Sequence, residues 1–121
     1  LGDYILTHSS VARTVTNNSN DYDNTYNAVG AVVTIDATAI TSTPSVVFKL
    51  QGKDTGSGQY YDIITSAAVT SVSTVVLRVY PGLTPAANLI VSDVLPRVWR
   101  ILATHGDADS ITYTVGVSLI D

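Results

Sequence analysis

The sequence predicts an all-β fold, an antiparallel sandwich of about seven strands, and three observations carry that prediction. Valine occurs 17 times, threonine 16 and isoleucine nine, and β-branched side chains of this kind pack well on a pleated surface. Glutamate and methionine, both good helix formers, do not occur. Apolar and polar residues alternate with a period of two in successive short segments, each closed by turn-forming residues.

Taken in order, the first strand is expected at Val11 to Thr16, preceded by an extended arm over residues 1–10. In the second, Val29, Ala31, Val33 and Ile35 alternate with Gly30, Val32, Thr34 and Asp36, which predicts one buried face. Val46, Phe48 and Leu50 alternate in the same way with Val47, Lys49 and Gln51. The loop Asp54-Thr55-Gly56-Ser57-Gly58 then joins this strand to Gln59–Thr65 as a hairpin. Val75, Leu77 and Val79 face away from Val76, Arg78 and Tyr80, and Pro81-Gly82 ends that strand. Arg97–Thr104 and Ile111–Ile120 form the last pair, read as antiparallel neighbours across the polar loop His105–Ser110. On the final strand Ile111, Tyr113, Val115, Val117 and Leu119 point to the core. The stretch from Leu83 to Leu95, in which Pro85 and Pro96 bracket Ala86 to Leu95, is apolar without a clear period. It fits a helical turn, an extra strand or a crossing loop, and its apolar content requires a cover.

Seven segments at this spacing suit an immunoglobulin-like or jelly-roll-like sandwich, with a closed barrel as second choice. No linker or repeat divides the chain, so residues 11–121 read as a single domain behind the arm. Its 121 residues, 45% hydrophobic and 13% charged, can bury a real core, and that balance excludes a disordered chain. A net charge of −4, with six scattered cations, argues against nucleic acid as a partner. Cysteine is absent, so no disulfide, thiolate nucleophile or cysteine-ligated metal is expected. No apolar run approaches the roughly 20 residues that span a bilayer as a helix, and no membrane association is expected. The chain starts at Leu1 without a methionine, so an initiator Met is expected to precede it in the gene product.

The chemistry-bearing residues form no defensible catalytic set. His8 falls in the arm and His105 in a loop, and no Gly-x-Ser-x-Gly elbow occurs, so no catalytic residue is assigned. His105, Asp107 and Asp109 have ligand-type spacing, but the loop runs straight into a strand without further ligands. Neither a metal nor any other cofactor is therefore expected. Gly52, Gly56 and Gly58 lead into a strand rather than a helix, which fits a hairpin turn and not a phosphate cradle. Trp99 on an alternating strand reads as a core residue rather than part of a sugar platform with Tyr60, Tyr61, Tyr80 and Tyr113. Arg97 and Arg100 fall on opposite faces of their strand and make no joint anion clamp.

Four segments resemble a known group of proteins: Thr43–Asp54 (TPSVVFKLQGKD), Val76–Gly82 (VLRVYPG), Leu95–Arg100 (LPRVWR) and Thr104–Tyr113 (THGDADSITY). Together they resemble small β-rich virion proteins of tailed bacteriophages, most of all capsid decoration, or cement, proteins. The likeness spans roughly Ala28 to Ile120. It implies a non-enzymatic structural protein that binds major capsid protein subunits on the outer surface of the virion, as a homo-oligomer (trimer or dimer). A tail or head-fibre domain and an extracellular carbohydrate-binding or adhesion module are the alternatives. The contact residues expected on this reading are Leu1, Tyr4, Ile5 and Leu6 in the arm and Leu83, Leu89, Ile90 and Val91 in the crossing stretch. An arm of that kind works by adding a strand to another sheet.

Overall fold

The computed structural model describes residues 3–25 and 27–121, and these contain ten strands and no helix. They are β1 (Tyr4–Arg13), β2 (Asn17–Asn18), β3 (Tyr22–Asp23), β4 (Gly30–Ile40), β5 (Val46–Lys53), β6 (Tyr60–Thr65), β7 (Ser73–Val79), β8 (Ile90–Val91), β9 (Val98–His105) and β10 (Ile111–Ile120). Two sheets pack together as the sandwich the alternation predicted. The first has the order β1-β10-β4-β7-β8; the second has the order β2-β9-β5-β6, with β3 also on β9. All pairs are antiparallel except β7 with β8. The strands beyond the expected seven include β2, β3 and β8, two residues each and too short to show a period.

Three expectations need correction. Residues 4–10 are extended, as an arm would be, but they are the body of β1 and pair with β10 of the same chain. The expected strand at Val11–Thr16 accordingly ends at Arg13. The physical reason is that β10, apolar on its inner face along its whole length, would otherwise expose a bare edge at the side away from β4. Next, β9 and β10 are not neighbours: β10 pairs with β1 and β4, β9 with β2, β3 and β5, and their loop crosses from one sheet to the other. The only two long strands that follow each other within one sheet are β5 and β6. Finally, Val29 lies 36% exposed just before β4, at the end of the sandwich, whereas Ala31, Val33 and Ile35 are buried.

The core follows the period-two faces. Val46, Phe48 and Leu50 from the second sheet meet Ile111, Tyr113, Val115, Val117 and Leu119 from the first, all within one buried cluster. Phe48 sets its edge against Tyr113 at 4.9 Å between centroids, a favourable T-shaped pair. Trp99 is completely buried and lies against Tyr22 at 5.0 Å, so β3 acts as a lid on the indole. In the β5–β6 loop the Asp54 carboxylate accepts from Ser57 Oγ at 2.7 Å and from the Gly56 and Ser57 amides. Gly58 there adopts φ 76°, a left-handed conformation that favours glycine.

Gly30, at the start of β4, is packed so closely that a Cβ would collide with the Val79 carbonyl oxygen and the Tyr80 ring. The carbonyl belongs to the adjacent β7 backbone and has little room to move. Gly30→Ala is therefore expected to destabilise the domain by about 2 kcal/mol, in the range of overpacking substitutions. Urea denaturation measures it, and a change under about 0.5 kcal/mol would show that the β4–β7 edge adjusts freely.

Candidate functional site

The two histidines, far apart in sequence, come to the same end of the sandwich. His8 sits on β1 between two bulges that turn its ring inward, and it is 4% exposed. His105 ends β9, on the opposite sheet. Between them stand Asn17 of β2 and Tyr113 of β10. His8 Nε2 lies 2.8 Å from Asn17 Oδ1, and Asn17 Nδ2 donates to Tyr113 Oη at 3.0 Å and to the Val15 carbonyl at 3.0 Å. His105 Nε2 lies 3.0 Å from the same Tyr113 hydroxyl.

This arrangement assigns the protons. The Asn17 amide turns its oxygen to His8, so neutral His8 carries its proton on Nε2 and leaves Nδ1 facing Thr7 Oγ1 at 3.2 Å. Thr7 Oγ1 is also 3.1 Å from the Val115 carbonyl. Tyr113 Oη accepts from Asn17 and shares a second hydrogen bond with His105 Nε2, and His105 Nδ1 stays buried without a hydrogen-bond partner. Arg13 closes the group. Its guanidinium stacks on the Tyr113 ring at 4.7 Å and donates to the Ser9, Val11 and Tyr113 carbonyls.

Burial is the main cause that pushes both histidines below their ordinary pKa, and Arg13 adds to it. The hydrogen bond that His8 donates to Asn17 opposes the shift at His8, and the Asp107 charge opposes it at His105. Burial also raises the Tyr113 hydroxyl, against the Asn17 hydrogen bond and Arg13. A depressed histidine contributes stability that is complete above its unfolded value, near 6.5, and is lost as pH falls. The melting temperature is therefore expected to drop by several degrees between pH 7.5 and pH 5. The carboxylates held low by hydrogen bonds, Asp21, Asp54 and Asp62, titrate below that window. His8→Asn should flatten the slope; an unchanged slope would remove His8 from the explanation.

Chemically the group is a clamp that ties the first sheet to the second. Apart from His105 Nδ1, its hydroxyls and ring nitrogens bond to one another, to Asn17 or to a backbone carbonyl, and Arg13 donates to carbonyls of β1 and β10. Beside it a cleft of about 450 Å³ opens between β1 and β2, lined by Thr7, His8, Ser9, Ala12, Arg13 and Asn17 among others. The Asp pair of the 106–110 loop serves the turn: Asp107 accepts from the Asp109 amide, and Asp109 accepts from Thr43 N and Oγ1. Among the described residues no three histidines or carboxylates converge on one point.

The expected contact residues separate into two places. Leu1 lies outside the described residues. Tyr4 and Leu6 are 60% and 50% exposed on the outer face of the first sheet, while Ile5 turns inward and packs on the core. Leu83, Ile90 and Val91 are half-buried, and Leu89 is exposed. Because β1 and β8 are opposite edges of that sheet, the structure does not bring the two groups together. Leu89 instead joins Ala67, Ala68, Val69, Val75 and Ala87 around a second cleft of about 280 Å³.

The two outer faces differ in kind. On the second sheet, Lys49 pairs with Asp62 at 3.0 Å, Gln51 donates to Asp62 and accepts from Arg100, and Arg100 lies 3.5 Å over the Tyr60 ring. Tyr60 Oη and Lys53 Nζ then both donate to Asp21. On the first sheet the outward positions are largely Thr, Ser, Val and Gly, with Tyr4 laid across Gly116. No protein-family model, curated protein or solved structure matches the chain.

Proposed function

We propose that this is a non-enzymatic structural protein of a tailed-phage particle, which reinforces the shell by binding across major capsid protein subunits on its outer surface. The four-segment resemblance supports the reading. The structural observation that carries it is the apolar rim beside β8, where Leu89, about half exposed, joins Ala67, Ala68, Val69, Val75 and Ala87 around the second cleft. Apolar side chains grouped around a cleft fit a protein partner rather than a charged metabolite. The clamp of His8 and His105 supports a structural role too, since its hydrogen bonds join the two sheets to each other. A sugar-binding module draws less support, because Trp99 is buried and Tyr60 is covered by Arg100. A tail or fibre domain shares the same physics and differs in location.

Purified protein mixed with capsids that lack it should co-sediment at a saturable ratio set by the capsid lattice. Leu89→Asp should weaken that binding by about tenfold or more, as charge does at an apolar contact. Absence of binding to capsids, or presence of the intact protein only in tails, would defeat the capsid reading.

A further inference from the structure

We propose that the outer face of the first sheet is self-complementary and docks a second copy of this chain, sheet against sheet, about a two-fold axis. The axis lies in the plane between the two copies, as it must when one face meets itself. The inference goes beyond the capsid reading and does not rest on it, because self-association is a property of the isolated protein.

The register places the face residues. Leu6, Gly116, Thr34 and Val76 form one row across β1, β10, β4 and β7, free of charge and of long flexible side chains. Such a row loses little rotamer freedom when it is covered. Two charged residues stand on the outward side of these strands: Arg78 opposite Val32, and Asp36 opposite Thr74. They are four residues apart along neighbouring strands, about 13 Å, too far to pair within one molecule. Arg78 makes no side-chain hydrogen bond or ion pair among the described residues, and Asp36 accepts from Thr74 Oγ1 at 3.2 Å.

Thr34 and Val76 face each other midway between the two charges. A two-fold axis that crosses this pair and bisects the line from Arg78 to Asp36 lays each copy's Arg78 over the other's Asp36. One contact thus makes two ion pairs around an uncharged centre, which fixes register and partner choice. The size suffices as well. Four strands about 4.8 Å apart and a ten-residue β10 of about 33 Å give roughly 600 Å² per copy, or about 1,200 Å² for the pair. That reaches the lower end of stable interfaces. The free edge of β1 is a poorer candidate for pairing, since two bulges break its ladder and Arg13 caps its Ser9 and Val11 carbonyls.

Sedimentation equilibrium on the intact protein tests the proposal. A monomer–dimer equilibrium is expected. Arg78→Asp and Asp36→Arg should each raise the dissociation constant by about tenfold or more, because each sets like charges face to face. The double variant should return to within about threefold of the parent, since the reversal restores both pairs. Thr34→Lys, at the centre with both charges intact, should also weaken the dimer. Melting temperatures near that of the parent show that each variant is folded. The proposal is overturned if the parent stays monomeric up to about 1 mM, if it forms trimers, or if the double variant is as weak as the singles. Capsid binding by a strictly monomeric protein would overturn it and leave the capsid reading standing; a dimer that ignores capsids would do the reverse.

Discussion

Phe48→Ala is expected to cost about 3–5 kcal/mol of folding free energy, the range for truncation of a buried aromatic side chain. The ring is 1% exposed at the centre of β5 and meets Tyr113 edge-on. Its removal leaves a cavity under the ring whose hydroxyl organises the inter-sheet clamp, so the loss extends beyond transferred area. Typical domains hold only about 5–15 kcal/mol in total, so this single change removes a large share of the stability. Urea denaturation at neutral pH gives the value, and a loss below about 1 kcal/mol would show that the Val46/Phe48/Leu50 face is not the core.

Removal of residues 1–10 is expected to damage the domain itself. It strips Tyr4, Ile5, Leu6 and His8 from β10, four register pairs in all. At roughly 1 kcal/mol net per ladder hydrogen bond, about 4 kcal/mol is lost before the packing of Ile5 and His8 is counted. The truncated protein should melt at a much lower temperature and aggregate through the uncovered edge of β10. A truncated form as stable and as monodisperse as the parent would show that β1 is dispensable, as a free arm would be.

The sandwich was legible because three central strands keep the period of two over their core faces: Ala31/Val33/Ile35, Val46/Phe48/Leu50 and Ile111/Tyr113/Val115/Val117/Leu119 are buried where the alternation puts them. The strand β1 was not, for a local reason. Tyr4, Ile5 and Leu6 are consecutive apolar residues, and bulges around His8 shift the phase twice, so the segment carries no steady period. Sheet membership was hidden by turn chemistry. Asp54–Gly58 joins neighbours in one sheet and Gly106–Ser110 crosses between sheets, yet both are short Gly/Ser/Asp loops. The clamp left one trace, Tyr113 on an otherwise aliphatic inner face, since a buried phenol needs a partner for its hydroxyl. Of its two partners, Asn17 lies far away in sequence and His105, though near, falls where the pattern reads a loop, so neither was placed by the alternation.

The position of β10 has a consequence for how the molecule comes into being. It follows the other nine described strands in sequence, yet it lies between β1 and β4, so the first sheet has a gap until residue 120 exists. During synthesis β1 has no native neighbour, and β4 can pair only with β7, until β10 has emerged from the ribosome. Closure of the first sheet thus waits for β10 and depends on pairing between β1 and β10, far apart in sequence, the kind of long-range closure that makes β-sandwiches slow. Meanwhile the exposed β4, Gly30–Ile40, is the segment most in need of protection from wrong pairing.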